Sequence, residues 1–309
     1  MSSKKEFEIV LHTTMNYLEI FLVEMTARAP HGHDDMEIGI LLEGNLTFFT
    51  EHEQHELHAG DIYIINRYQV HSFLNKNSTN RILAFQIHTD FYRKINYQLG
   101  FLRFESNVIS SGVLHDSLYN TLISCASYYF TATELNELKC SSILFDALYQ
   151  ILTNTRYTIT SEKASVAAKN NSLRLDRITN YISEHYTECI SLQDVADLEN
   201  ITACHASHFI KKMLGISFQQ YLNQIRFEYA LQLIKKSSLN ILDICIETGF
   251  SSSRYLNHMF QQNFGCTAKE YIKMKEKPYL TGTTLPTDNV QNRYSFEQSG
   301  FILKKITNR

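Results

Sequence analysis

Apolar positions along the chain change their spacing near residue 90. Over residues 6–88 they fall in short runs, 17–25, 37–42, 46–49, 62–65 and 82–87, separated by breaks that include Gly44-Asn45 and Gly60-Asp61. Such runs predict strands, and their regular spacing predicts a sandwich or barrel. From residue 90 to about 155 the period lengthens. Leu114, Leu118, Leu122 and Ala126 recur at helical spacing, as do Leu144, Ala147, Leu148, Ile151 and Leu152. This predicts two amphipathic helices, packed either on the strands or on a second copy of themselves. Residues 161–172 are polar and small-residue-rich, which predicts a linker. A helix is predicted over 173–185.

Beyond it lies a repeated pattern. Residues 244–260 predict a short helix, a turn at Gly249 and a second helix capped by Ser251 or Ser252. Alone, this describes an αα-hairpin as well as a helix-turn-helix. About fifty residues earlier, 191–214 repeat the arrangement, with Asn200 in the place of Gly249 and Ala196 in the place of Cys245. Asparagine is the other residue that tolerates a left-handed turn. Two such units favour a helix-turn-helix pair, whose second helices enter the major groove. The candidate DNA contacts are Thr202, Cys204, His205, Ser207, His208 and Lys211 in the first unit. In the second they are Ser252, Ser253, Arg254, Asn257 and His258. The competing reading is a solvated helix face. Residues 217–236, without Gly or Pro, predict a connecting helix about 30 Å long, close to the ~34 Å repeat of DNA.

With 309 residues, 44% hydrophobic and 20% charged, the chain has room for two domains. No apolar run approaches the ~20 residues that span a bilayer, and no apolar segment follows Lys4 and Lys5, so neither a membrane partner nor a signal peptide is expected. Six cysteines without a C-x-x-C pair suggest reduced thiols in a cytoplasm. The net charge is −3, and residues 173–277 hold 12 Lys/Arg against 11 Asp/Glu. DNA affinity would therefore require basic groups gathered on one face, with helix N-termini assisting at phosphates.

A polar set interrupts the strands: His31, His33, Glu37 and, later, His71. On an unbroken strand 31, 33 and 37 share a face, and His71 would join from a facing strand. These groups suit either a divalent transition metal or hydrogen bonds to an organic ligand. With Tyr63 they form the candidate effector site, for which no metal, cofactor or catalytic residue is assigned.

Residues 244–250, Met259-Phe260 and 264–271, with Gly215-Ile216-Ser217-Phe218, Tyr221, Arg226 and Ala230, resemble the AraC/XylS family of transcription regulators over about a hundred residues. The set His31, His33, Glu37, Gly44, Gly60 and His71 resembles the signature motifs of cupins, the sensor domain of many family members. The resemblance implies an α+β multidomain chain. A cupin-like effector-binding barrel would occupy 1–100, a helical dimerisation region 101–160, the linker 161–172 and a double helix-turn-helix domain 173–277. An extension, 278–309, exceeds the usual family end and carries Tyr294, Phe296, Phe301 and Ile302, which suggest docking at an unassigned place. The implied function is a ligand-responsive regulator and not an enzyme. Its partners would be double-stranded promoter DNA, a small-molecule effector with carbohydrate favoured, RNA polymerase and a second copy of the chain. The alternatives are a metal-dependent cupin enzyme fused to a DNA-binding module and an interaction module without DNA binding. Ala268 and Ile272 depart from the family's usual Pro and Arg, and Asn66 and Tyr68 from the cupins' Pro and Gly. His208 and His258 stand where arginine is usual. Arginine offers a permanent charge and a bidentate fork, so contacts are expected to shift towards Arg254, Ser253, Asn257, Ser207, His205 and Lys211.

Overall fold

The computed structural model describes Met15 and residues 17–51, 53–75, 79–131, 134–236, 239–274, 285–286 and 289–307. Among the described residues, seven strands come first: β1 (Leu18–His31), β2 (Met36–Glu43), β3 (Asn45–Thr50), β4 (Gln54–His58), β5 (Ile62–Ile65), β6 (His71–Leu74) and β7 (Arg81–Ile87). A short helix, α1 (Asp90–Arg93), and small strands β8 (Leu102–Phe104) and β9 (Val108–Ile109) follow. Every pairing is antiparallel, in the order β4-β3-β6-β1-β7-β2-β5-β9.

Except in β4, whose alternate positions are exposed, the strands bury most of both faces because both are covered. Val23, Leu41, Phe48, Tyr63, Phe73 and Ile82, from six strands, meet in one interior cluster, which requires the sheet to curl on itself. The alternate residues, Leu22, Ile38, Ile40, Ile62, Ile64, Leu83 and Phe85, pack outward against two helices. These are α2 (Val113–Tyr129) and α3 (Asn136–Asn154). Leu118, Leu122, Ala126, Leu144, Ala147 and Ile151 place their stripes on the barrel. Of the two packings open to these helices, that stripe takes the barrel.

After β10 (Tyr157–Ile159), residues expected as a linker form instead the first half of a continuous helix, α4 (Glu162–His185), capped by Ser161. Good helix formers such as Glu162, Lys163 and the alanines at 164, 167 and 168 carry it without a buried stripe. Only from Ser172 onward does α4 bury residues, among them Leu175, Ile178 and Ile182. At Ser172 it meets the barrel, where a side chain on Gly32 would collide with the serine hydroxyl.

Among the described residues, six helices follow: α5 (Leu192–Leu198), α6 (Ala203–Leu214), α7 (Phe218–Lys236), α8 (Ile241–Thr248), α9 (Ser253–Phe264) and α10 (Ala268–Lys273). Helix α7 serves two cores. Phe218, Tyr221, Leu222 and Ile225 pack with α4, α5 and α6, whereas Phe227, Ala230, Leu231 and Ile234 pack with α8, α9 and α10.

The extension docks on the barrel. Strand β11 (Val290–Arg293) pairs with β1, and α11 (Phe296–Thr307) buries Leu303 in the cluster shared by α2 and the barrel. Phe296 lies against Tyr129 and Phe130.

Candidate functional site

The two helix-turn-helix units are built alike. In the first, Ser191 and Asp194 form a capping box at α5, Asn200 turns left-handed at φ 52°, and Thr202 caps α6 through the His205 amide. In the second, Asn240 caps α8, Gly249 turns at φ 71°, and Ser252 caps α9. One backbone bond recurs in both turns: Ile201 N donates to Ala196 O, and Phe250 N to Cys245 O, each at 2.9 Å. A side chain at Gly249 would lie 2.7 Å from the carbonyl oxygens of Tyr186 and Thr187. That close approach and the positive φ both demand glycine. Arg226 on α7 donates to the carbonyls of Tyr186 and Glu188, both at 2.7 Å, so it anchors the connecting helix to the same loop.

On α6 the buried residues are Ala206, Phe209, Ile210, Met213 and Leu214. Thr202, Cys204, His205, Ser207, His208 and Lys211 are all exposed. On α9, Leu256 and Phe260 are buried, Ser252, Arg254 and His258 are exposed, and Ser253 is half-buried. Asn257 departs from expectation. Its Nδ2 donates to Ser253 O, and its Oδ1 accepts from Ala268 N at 2.9 Å. Each end of the amide makes one of these bonds, so this side chain fastens α9 to α10. Ala268, in place of proline, supplies the N–H that this bond uses.

The barrel set also assembles, though not along one strand. His31 ends β1, His33 forms a bridge in the connection, and Glu37 lies on β2. A turn, not alternation, brings them together. His71 pairs across from His31, with ring centroids 4.1 Å apart. Glu37 accepts from the Tyr63 hydroxyl at 2.8 Å and from Gln86 Nε2 at 3.1 Å, and His33 Nε2 stands 3.4 Å away. Tyr63 reaches it by lying across Gly39, its cross-strand partner, where a Cβ would meet the ring at 2.0 Å. Burial alone would raise the Glu37 carboxyl. The hydrogen bond and charge of His33, the charge of His71 and the Tyr63 hydroxyl outweigh it and hold the pKa at about 2.

The Nδ1 atoms of His31, His33 and His71 lie 2.9, 2.9 and 3.0 Å from the carbonyls of Ala29, Asp35 and Gln69. That contact orients each ring. Burial, with the charges of Arg28, His71 and His33, pushes the His31 pKa well below the ordinary imidazole value. Arg28 Nε donates to His31 Nε2 at 3.3 Å, so a cation already occupies the side from which a metal would approach. Among the described residues, no group of three or more His, Cys, Asp or Glu is arranged to hold a metal ion. A cavity of about 120 Å³ is lined by His31, Glu37, Tyr63 and His71. Its wall also holds Arg28, Gln86, Gln291 and Arg293, which the sequence did not single out. Gln86, polar within the apolar run 82–87, was the one available signal among these four.

Comparison with known proteins finds a helix-turn-helix domain over residues 195–274 and a cupin domain over residues 21–85. The chain is 23% identical over 260 residues to the HTH-type transcriptional regulator YdeC of Bacillus subtilis (strain 168), covering 79% of this chain and 86% of YdeC. An HTH-type transcriptional regulator of Staphylococcus aureus (strain MRSA252) is 23% identical over 270 residues, covering 86% of this chain and 34% of that protein. The chain thus spans about a third of the length of the Staphylococcus relatives it matches. Among solved structures, the AraC-like transcriptional activator CuxR is 14% identical with a TM-score of 0.38, over 72% of this chain and 78% of its own. Among the described residues no helix is long and apolar enough to cross a membrane.

Proposed function

Because this chain joins a cupin domain to a helix-turn-helix domain, we propose that it is a transcription regulator of the AraC/XylS type. It binds promoter DNA through α6 and α9 and takes a small polar effector in the barrel. The observation that carries this reading is the duplicated unit. Two left-handed turns, two capped helices and two exposed polar faces are held on one connecting helix. A solvated face has no need of that repetition. A gel shift with duplex DNA from upstream of the protein's own gene, at low salt, tests it. Retarded DNA that is released as salt rises is expected. Absence of any shift, with and without effectors, overturns the reading.

The effector is a hydroxyl-bearing molecule, carbohydrate-like in its chemistry. An ionised Glu37 accepts from hydroxyls, while Tyr63 and Gln86 fix its orientation. Calorimetry with a sugar panel tests this, and heat only from metal ions or fatty acids would reject it. Coupling to DNA has a structural opportunity. The second reading unit, including His258 and Met259, borders a cleft of about 640 Å³ whose opposite wall holds Thr50, Glu53 and Gln54 of the barrel. An effector that favours one of two arrangements at this cleft changes access to α9.

The regulator works as a homodimer in the cytoplasm and activates through RNA polymerase, without catalysis of its own. Support for pairing comes from Val113, Leu135, Leu138 and Tyr149, which α2, α3 and their connection leave exposed. Sedimentation gives the mass in solution, and a purified transcription assay reads activation. Elemental analysis of protein purified without chelator addresses the enzyme alternative, which stoichiometric metal would revive.

A further inference from the structure

The strand that follows the reading domain returns to the barrel and forms part of its pocket wall. β1 bends along β7 and then β6 on one edge, and β11 takes the other. Val23 pairs with both Ile82 and Arg293, and Ala27 with both Leu74 and Val290. The pairs Met25↔Gln291 and Val23↔Arg293 put Gln291 and Arg293 on the same face as two pocket-lining side chains. The neighbours on β11 face the other way, and Tyr294 donates its hydroxyl to Glu24 at 2.8 Å. The attachment extends past the strand, since Ala29 N donates to Asn289 Oδ1 and Tyr294 N to Leu22 O.

The lining of this cavity carries both signs of charge. It holds the Glu37 carboxylate with Tyr63 and Gln86. Elsewhere on the lining are two guanidiniums, Arg28 from β1 and Arg293 from β11, with the Gln291 amide beside them. Arg293 lies over the Phe21 ring at 4.2 Å and pairs with Glu19, and its side chain is half exposed.

We propose that the barrel takes a hydroxylated carboxylate of the sugar-acid type, its hydroxyls on Glu37, Tyr63 and Gln86 and its carboxylate on Arg28 and Arg293. This rests on the reading of the barrel as the effector site. Glu37 accepts hydroxyl protons but repels an anion, so the acidic end of such a ligand turns from it towards the guanidiniums. A guanidinium fork matches a carboxylate in two parallel hydrogen bonds, and Arg293 already holds one carboxylate, that of Glu19. The β11 strand is thereby a ligand-contacting element. Leu285, upstream of it, packs against both the first reading unit and the barrel cluster of Phe49 and Leu74. A ligand held by Arg293 therefore acts on chain that also touches the DNA-reading domain.

The test is titration calorimetry of the full chain with aldonates of four to six carbons and the alditols of the same lengths. An aldonate is expected to bind at least about tenfold more tightly than its alditol. Arg293→Gln and Arg28→Gln should each remove most of that preference. Glu19→Gln, which releases Arg293 from its present partner, should strengthen aldonate binding, and it decides the matter if either arginine variant fails to fold. Alditols binding as tightly as aldonates, or an intact preference in Arg293→Gln, overturns the proposal and leaves the effector reading standing. If neither series binds, the proposal falls together with the hydroxyl-ligand reading of the barrel.

Discussion

A carboxylate enclosed by strands stays ionised only where donors meet it, and Glu37 has Tyr63, Gln86 and His33 around it. Its pKa is about 2, against the usual 4.5. A depressed folded-state pKa adds stability that is fully present above the unfolded value and is lost as pH falls through the folded one. The wild type should therefore lose more thermal stability than Glu37→Gln between pH 4.5 and 2, a comparison made by melting both proteins across that range. Gly39→Ala acts on the same group from behind, since its methyl would displace the Tyr63 ring. We expect it to cost about 1–3 kcal/mol and to weaken effector binding, measured by denaturation and calorimetry. At this scale the sequence was partly legible. Histidine and glutamate spacing located the polar set, because side chains that interrupt an apolar run are visible in one dimension. Arg28 was not, since only the pairing of β1 with β6 and the pocket it encloses give that arginine a place.

Among the helices, the two units were legible because the chain states the pattern twice, with Asn200 and Gly249 in matching turns. What they do to stability follows from the turn. Gly249→Ala adds left-handed strain to a collision with two carbonyls and should cost at least about 2 kcal/mol, read by chemical denaturation. In the proposed function Arg254 contacts DNA, whereas Asn257 ties α9 to α10. Arg254→Ala should weaken DNA binding by about 1–3 kcal/mol, whereas Asn257→Ala should lower the melting temperature while base preference stays the same. Competition gel shifts and melting curves distinguish these outcomes. An Asn257→Ala protein with altered base preference would return that residue to the reading face. The start of α4 was not legible, because polar small residues are compatible with both a linker and a solvent-exposed helix. The continuation from Ser172, which is anchored by Leu175 and Ile178, decides between them.

At the scale of the molecule, the extension is a structural part of the barrel. Leu303 is buried between barrel and helices while Phe301 is 60% exposed on the same helix. Leu303→Ala should cost about 2–4 kcal/mol, and Phe301→Ala should stay within about 0.5 kcal/mol, both measured by denaturation. Equal effects would mean that α11 is not docked as described. The aromatic residues of the extension announced some contact, but its location depended on pairing between residues about 270 positions apart, which local pattern does not encode.

That pairing has a consequence for synthesis. The strands β1 to β7 emerge from the ribosome about two hundred residues before β11. At 5–20 residues per second the outer edge of β1 waits roughly 10–40 s for its partner. Through that interval the nascent barrel presents an unpaired strand edge, which is a template for joining the wrong chain. Yield in cells should therefore depend on the speed of translation through the reading domain, a property that no measurement on the finished protein would reveal.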